Sequence, residues 1–191
     1  PDKPAFLVGF SLGGNFALRI ARKCLHDPIA PLRHVFSISP VLEPDKATDC
    51  IDANPLILSY FLKKWRRTLR RKQKLFPQRY QFDGALGIPN LRGLTAALLP
   101  RYSPYLNTAT YFADYALTGD AWAKLPIPAT VLTAADDPII PVEDFWRLRV
   151  NIHTEKIILD HGGHNGFISG IFKGCWYEEA MLKRFNAYCH T

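Results

Sequence analysis

A Gly-x-Ser-x-Gly pentapeptide at residues 9–13 constrains the fold of this chain more than any other feature. The apolar residues 5–8 precede it and are typical of a buried parallel strand. The residues after it place apolar and basic side chains on opposite faces at helical spacing. This pattern predicts a strand, a sharp turn and a helix, with the Ser11 hydroxyl projecting from the turn. We expect the turn to need both Gly9 and Gly13, because a Cβ at either position would clash with a neighbouring segment.

Strand and helix signals alternate along the 191 residues. Beyond the first strand and helix, strands are predicted at 34–39, 127–133 and 156–159, and helices at 55–74, 91–99, 107–117, 142–150 and 175–188. Such alternation predicts an α/β fold with a mostly parallel sheet and flanking helices. The long segment 43–125 has no strand signal. We therefore expect one domain, 1–191, with residues 43–125 inserted between the second and third strands as a helical cap.

A nucleophilic serine needs a base to accept its proton and a carboxylate to orient that base. The third predicted strand runs into Asp136 and Asp137, and the fourth runs into His161 and His164. The carboxyl ends of parallel strands meet at one edge of a sheet. Either histidine could therefore lie near Ser11, and either aspartate could lie near that histidine. Two adjacent aspartates cannot both point at one imidazole. The residues themselves leave the choice open within each pair.

Three motifs resemble those of the α/β-hydrolase superfamily: G-F-S-L-G-G-N, A-D-D-P-x-x-P and H-G-G-H-x-G-F. More narrowly, they resemble the ABHD-type, or type-4, carboxylesterase branch, and the resemblance covers nearly the whole chain. It implies that Ser11 is the nucleophile, that Asp137 before the proline is the acid, and that His164 after the glycine pair is the base. Asp136 would then be a loop or capping residue, and His161 a neighbouring polar residue. The backbone N–H of Leu12 would donate to an oxyanion.

The resemblance also implies a core sheet of eight strands, in which this chain would start at the strand that carries the nucleophile. We therefore expect a fragment or a processed chain that lacks the second oxyanion donor. Strand 5–10 would then have a bare hydrogen-bonding edge, through which we expect the chain to self-associate.

The function implied by the resemblance is that of a serine hydrolase. It would cleave small-molecule carboxylic esters with medium-chain or lipid-like acyl groups through an acyl-enzyme. Phe10, Phe167 and Ile168 are predicted to line an apolar acyl pocket. The alternatives are a thioesterase or acyltransferase that uses the same three residues, and a non-catalytic binding protein that retains the fold. No cofactor and no metal are expected, because no further ligand cluster accompanies residues 160–164.

The net charge of +7 is concentrated in residues 63–74, which contain eight of the 24 Lys and Arg residues. Such a cluster is typical of a solvated helix face, with Trp65, Leu69 and Leu75 or Phe76 packed inward. It is also typical of a surface that contacts anionic lipid head groups. Nucleic acid is not expected as a partner, because no recognised nucleic-acid-binding module accompanies the charge.

Cysteine usage and hydropathy together predict a cytoplasmic location. The four cysteines are far apart and form no C-x-x-C pair, which favours reduced thiols. No apolar run approaches the roughly 20 residues that a membrane span requires.

Overall fold

The computed structural model describes residues 3–170 and 174–189. The chain divides into two compact units: the first combines the segments up to Glu43 and from Ala116 onward, and the second is Pro44–Tyr115. The first unit contains the strands β1 (Ala5–Phe10), β2 (Leu32–Ile38), β3 (Ala129–Ala134) and β4 (Thr154–Leu159). The described strands form one sheet in the order β1-β2-β3-β4, and each neighbouring pair is parallel. The predicted α/β fold with a mostly parallel sheet is therefore confirmed.

Helices flank the sheet in the first unit and make up the second. The described residues form α1 (Leu12–Lys23), α2 (Pro44–Ala53), α3 (Pro55–Leu75), α4 (Leu91–Tyr102), α5 (Thr108–Tyr115), α6 (Val142–Trp146) and α7 (Trp176–Cys189), with a 3-10 helix at Gly119–Trp122. Of these, α2 is an element that the sequence pattern did not predict. The predicted helix at 142–150 was too long, because α6 ends at Trp146.

The core of the first unit lies on the two central strands. Every residue of β3 is buried, and so are all but one of β2, as expected for parallel strands covered on both faces. One buried cluster joins the ends of these strands to α7 and to the loop after β4; it contains Phe36, Ile38, Leu132, Ala134, Phe167 and Ala180. This packing holds the carboxyl ends of β2 and β3 in fixed positions.

Strand β1 lies at one end of the strand order and pairs with β2. Its side chains Val8 and Phe10 are 37% and 40% exposed. Self-association through the 5–10 edge stays a prediction.

The second unit is held together by contacts between α2 and the start of α4. The guanidinium of Arg92 donates to the carboxylates of Asp45 (2.7 Å) and Asp49 (2.6 and 2.9 Å). The carboxylate of Asp52 accepts from the backbone N–H groups of Leu91 (2.8 Å) and Arg92 (3.0 Å). These bonds join residues about 40 positions apart, so the stability of α2 depends on long-range partners.

Candidate active site

The turn between β1 and α1 presents Ser11 in a strained backbone conformation. Its φ of 53° and ψ of −121° lie in a region that residues other than glycine seldom occupy. The Ser11 N–H donates to the carbonyl of Ile38 at the end of β2 (2.9 Å), and the Ser11 carbonyl accepts from Asn15 (3.1 Å). The turn is therefore tied to the neighbouring strand on one side and to α1 on the other.

Close backbone packing explains two of the glycines around this turn, but not the two that we expected. A Cβ on Gly9 would clash with the backbone of Gly13 and Gly14. A Cβ on Gly13 would meet nothing within 4 Å, so the prediction was wrong for that residue. The second constrained position is Gly14, where a Cβ would lie 2.7 Å from the Ser37 hydroxyl and 3.2 Å from the Gly9 carbonyl.

The structure brings Ser11, Asp137 and His164 together. His164 Nε2 lies 3.0 Å from Ser11 Oγ, and His164 Nδ1 lies 2.9 Å from Asp137 Oδ2. In this arrangement Nδ1–H donates to the carboxylate, and Nε2 can accept from the serine hydroxyl. The Asp137 side chain is fully buried and that of His164 is 15% exposed. Three side chains that are far apart in the sequence thus form one hydrogen-bonded path.

The carboxylate of Asp137 is held by its own loop. Its Oδ1 accepts from the backbone N–H groups of Ile139 (2.8 Å) and Ile140 (3.0 Å), which is an Asx turn. Pro138 lies between Asp137 and these two isoleucines in the sequence and restricts the backbone of the turn. The second oxygen, Oδ2, makes the shorter contact with the imidazole: it lies 2.9 Å from His164 Nδ1, and Oδ1 lies 3.2 Å from the same nitrogen.

Asp136, the other member of the aspartate pair, bonds the loop that carries His164. Its Oδ1 accepts from the N–H groups of Gly162 (2.9 Å) and Gly163 (2.8 Å). The bond from Gly163 is the largest cause of a lowered pKa of Asp136; burial opposes it, and the bond from Gly162 and the nearby His161 lower the pKa further. The His161 side chain is 90% exposed, with Nδ1 3.5 Å from Asp136 Oδ2. Adjacent aspartates therefore orient the imidazole and anchor its loop.

The loop that carries His164 folds back on itself. The Gly162 carbonyl accepts from the N–H groups of Gly166 and Phe167, each at 3.0 Å. The ring of Phe167 packs so closely on Gly162 that a Cβ there would lie 2.5 Å from it. Asn165 and Phe167 both have positive φ, 71° and 46°. The loop therefore has a tight, strained conformation fixed by its own backbone.

The residues predicted to line an acyl pocket lie in different surroundings. Phe167 is 3% exposed and belongs to the core cluster. The ring of Phe10, next to the serine, packs edge-on against Tyr177 with centroids 5.3 Å apart. Ile168 is 78% exposed. Their contact with substrate stays a prediction.

Sequence reasoning gave no role to Asn15, the last residue of the G-F-S-L-G-G-N motif. It is fully buried, and its side-chain N–H donates to the Val41 carbonyl in the loop after β2 (2.7 Å). This bond ties the first turn of α1 to that loop. The signal was available: an amide at this position lies on the buried face of the helix, where a polar group requires a partner.

Leu12, the predicted oxyanion donor, is the first residue of α1. The first N–H groups of a helix have no acceptor within the helix and carry its positive partial charge. The Leu12 N–H therefore belongs to the helix end that directly follows Ser11.

Across 3–170 and 174–189, no three His, Cys, Asp or Glu side chains are grouped so that they could hold a metal ion. None of the helices in the same ranges combines the length and the apolar character needed to cross a bilayer. Within the same ranges, no disulfide joins any of the four cysteines.

Comparison with known proteins assigns the sequence to a family. The sequence matches the profile of the Alpha/beta hydrolase family over residues 1–172. The chain belongs to the alpha/beta hydrolase family. No curated protein matches the sequence.

Solved structures share the fold at low sequence identity. One is MGS-MChE2, an alpha/beta hydrolase enzyme from the metagenome of sediments of the Mar Chica lagoon, Morocco, with a TM-score of 0.52 and 15% identity over 97% of this chain and 62% of that one. Another is the esterase domain of a Rhodothermus marinus protein, with a TM-score of 0.50 and 17% identity over 97% and 61%. The monoacylglycerol lipase of Paleococcus ferrophilus has a TM-score of 0.50 and 16% identity over 97% and 69%. The chain thus spans less than two thirds of the first two structures.

Proposed function

We propose that this chain carries the catalytic residues of a serine esterase, with Ser11 as nucleophile, His164 as general base and Asp137 as the acid that orients it. The observation that carries the proposal is the continuous hydrogen-bonded path from the Asp137 carboxylate through the His164 imidazole to the Ser11 hydroxyl. Membership of a hydrolase family supports this use of the three residues.

The geometry suits transfer of an acyl group to water. As Ser11 Oγ bonds to the ester carbonyl carbon, His164 Nε2 accepts the hydroxyl proton and Asp137 stabilises the resulting imidazolium. His164 then returns that proton to the departing alcohol, which leaves an acyl group on Ser11. A water molecule attacks this acyl-enzyme while His164 accepts its proton, and the proton returns to Ser11 Oγ as the carboxylic acid leaves.

The negative charge that develops on the carbonyl oxygen needs a donor. In this proposal the Leu12 N–H supplies one, at the positive end of α1. The strained turn supports this role, because it sets the hydroxyl of Ser11 and the N–H of the next residue beside the same reacting carbon.

Esters with apolar acyl groups are the substrate class that we propose. Phe10 directly precedes the nucleophile and is 40% exposed, and Ile168, four residues after the base, is 78% exposed. Exposed apolar side chains next to a polar reacting centre favour a ligand with a hydrocarbon portion. An esterase domain and a monoacylglycerol lipase are among the structures with the same fold, which agrees with this class.

A fluorophosphonate probe tests the proposal, because it reacts covalently only with an activated serine. We expect the full chain to be labelled at Ser11 and to hydrolyse p-nitrophenyl esters. The Ser11→Ala variant should lose both activities, and Ser59→Ala, at an exposed position of α3, should retain them. A thioester series run in parallel distinguishes the thioesterase alternative. A folded chain whose Ser11 is not labelled would contradict the proposal.

A further inference from the structure

The net positive charge of the protein comes from one segment. Residues 54–82 contain nine of the 24 Lys and Arg residues and none of the 17 Asp and Glu residues. The rest of the chain, with 15 cations and 17 carboxylates, has a net charge of −2. An anionic surface would therefore attract this segment more strongly than any other part of the chain of similar length.

Most of these cations lie on the 21-residue helix α3. Asn54 caps the helix by accepting from the N–H groups of Leu56 and Ile57, both at 3.2 Å. Leu62 and Leu69, seven residues and hence two turns apart, are buried and mark the inward side. The opposite side presents an exposed group of cations, here called the basic face: Lys63, Lys64, Arg67, Arg70, Arg71 and Lys74.

Apolar side chains flank the basic face at both ends of α3. Leu56 is 85% exposed and Tyr60 58% exposed at its start, and Leu75 is 60% and Phe76 56% exposed at its end. The inward packing expected for Trp65 and for Leu75 or Phe76 was therefore wrong: Trp65 is 38% exposed, and the inward stripe is narrow. Large apolar groups left in water on both sides of a cation cluster are typical of an interaction surface.

Carboxylates do not neutralise this segment. In the part of the chain that the structure describes, none of the ion pairs includes one of its cations. Arg66 donates to the Ile88 carbonyl (2.9 Å), and the Lys72 ammonium lies 4.1 Å from the centre of the Tyr80 ring. The charge of the basic face is therefore available to an external partner.

We propose that the basic face of α3 and the apolar residues at its two ends dock on an anionic lipid bilayer. The cations would lie at the head groups, and Leu56, Leu75 and Phe76 would enter the boundary with the acyl chains. Tyr60 and Trp65 have the amphipathic rings that suit this interface. The phosphodiester backbone of a nucleic acid offers no apolar environment to the exposed leucines, which is why we favour lipid. The proposal is independent of the esterase activity.

Vesicle flotation tests the proposal without any measurement of catalysis. The full chain is mixed at low salt with vesicles of phosphatidylcholine alone or of phosphatidylcholine with phosphatidylglycerol. We expect binding only to the vesicles that contain phosphatidylglycerol. Each cation near an anionic surface contributes about fivefold to binding. Neutralising Arg67, Arg70, Arg71 and Lys74 together, each to Gln, should therefore weaken binding by roughly 600-fold.

A matched variant controls for net charge. Lys124, Arg147, Arg149 and Lys183 are exposed cations of the first unit, and changing these four to Gln removes the same charge elsewhere. We expect this variant to bind vesicles like the unmodified chain. Equal loss in both variants, equal binding to both kinds of vesicle, or no binding to either would overturn the proposal. Release from vesicles by a short DNA duplex that binds the same face more tightly would overturn it in favour of nucleic acid.

Discussion

The group formed by Ser11, Asp137 and His164 differs from the basic face of α3 in how its polar atoms are partnered. The side chain of Asp137 is fully buried and accepts from the imidazole and from two backbone N–H groups. The cations of the basic face are exposed, and among the described residues none of them forms an ion pair. We infer that catalysis at the first region would depend on the position of individual atoms, and that lipid docking at the second would depend on the sum of its charges. Substitutions should therefore act steeply at single positions in the first and gradually in the second.

The largest effect is expected for Asp137→Asn. The Asn carbonyl can still accept from Ile139 and Ile140, but its N–H₂ would face His164 Nδ1 and favour the tautomer with the proton on Nε2. His164 could then not accept the Ser11 proton. We expect esterase kcat to fall by about 10⁴ with the fold unchanged. The control is Asp160→Asn, at an exposed carboxylate just before the loop that carries His164 (the base loop). It should change kcat by less than about threefold. Similar losses in both variants would contradict this account.

Two glycine substitutions test whether the backbone around Ser11 can move to accommodate an added Cβ. Gly9→Ala forces a Cβ into the backbone of Gly13, so we expect the free energy of unfolding to fall by about 3 kcal/mol. Gly13→Ala meets open space within α1 and should be neutral or stabilising by at most about 1 kcal/mol. Denaturant unfolding of both variants measures the difference. The opposite order of stabilities would show that the turn relaxes around Gly9.

His34 is a buried histidine outside the site, and its protonation should lower the stability of the fold at acid pH. Burial, with the nearby Arg184 charge adding to it, lowers the pKa of His34 to about 4. Its neutral ring lies 3.0 Å from the Thr130 hydroxyl. The unfolded chain binds the proton first, so this contribution is complete above about pH 6.5 and is lost as pH falls toward 4. Between pH 7 and 4, unmodified protein should lose about 3 kcal/mol more stability than His34→Gln. Parallel losses would exclude His34 as the cause.

A smaller effect is expected at Asp136, which touches the backbone of the base loop and not the reacting atoms. Asp136→Ala leaves the N–H groups of Gly162 and Gly163 without their acceptor, so His164 should be less well positioned. We expect the rate of fluorophosphonate labelling to fall by about 10- to 30-fold. Asp136→Asn keeps one acceptor oxygen and should recover most of the rate. Equal rates in the two variants would show that the carboxylate does not position the loop.

The smallest effect is expected for single changes on the basic face. Arg67→Gln and Arg71→Gln should each weaken binding to anionic vesicles by about fivefold, and by the same factor. Flotation at several lipid concentrations measures the two affinities. A loss of binding from one of the two changes alone would mean that this face, like the catalytic group, depends on one specific contact.

The sequence predicted the parts of the fold that are determined locally. Helix α3 begins at Pro55, as predicted, because Asn54 supplies a cap and Pro suits the first helical position. The first unit's strands were found from their apolar runs. Helix α2 was missed because its inward residues are few and its partners are Arg92 and the N–H groups at the start of α4, some 40 positions away.

The ends of helices and the details of the site also divide into features determined locally and features that depend on distant partners. Helix α6 stops early because the Lys156 ammonium of β4 takes the carbonyls of Phe145 (2.9 Å) and Leu148 (3.3 Å), which a longer helix would have used. The residue types and chain order at the site could be read from the sequence. The bonds from the loop that carries His164 to Asp136, and the choice of the Val41 carbonyl as the partner of the buried Asn15 amide, could not, since both depend on segments that meet only in the folded chain.

The adjacency of Asp136 and Asp137 has a consequence for how the site tolerates motion. One peptide bond joins the residue that orients the imidazole to the residue that anchors its loop, so bending at the end of β3 displaces carboxylate and imidazole together. Ser11, in contrast, follows β1, which lies two positions from β3 in the order of the strands. Twisting of the sheet therefore leaves the acid–base separation nearly constant and changes the gap between Oγ and Nε2.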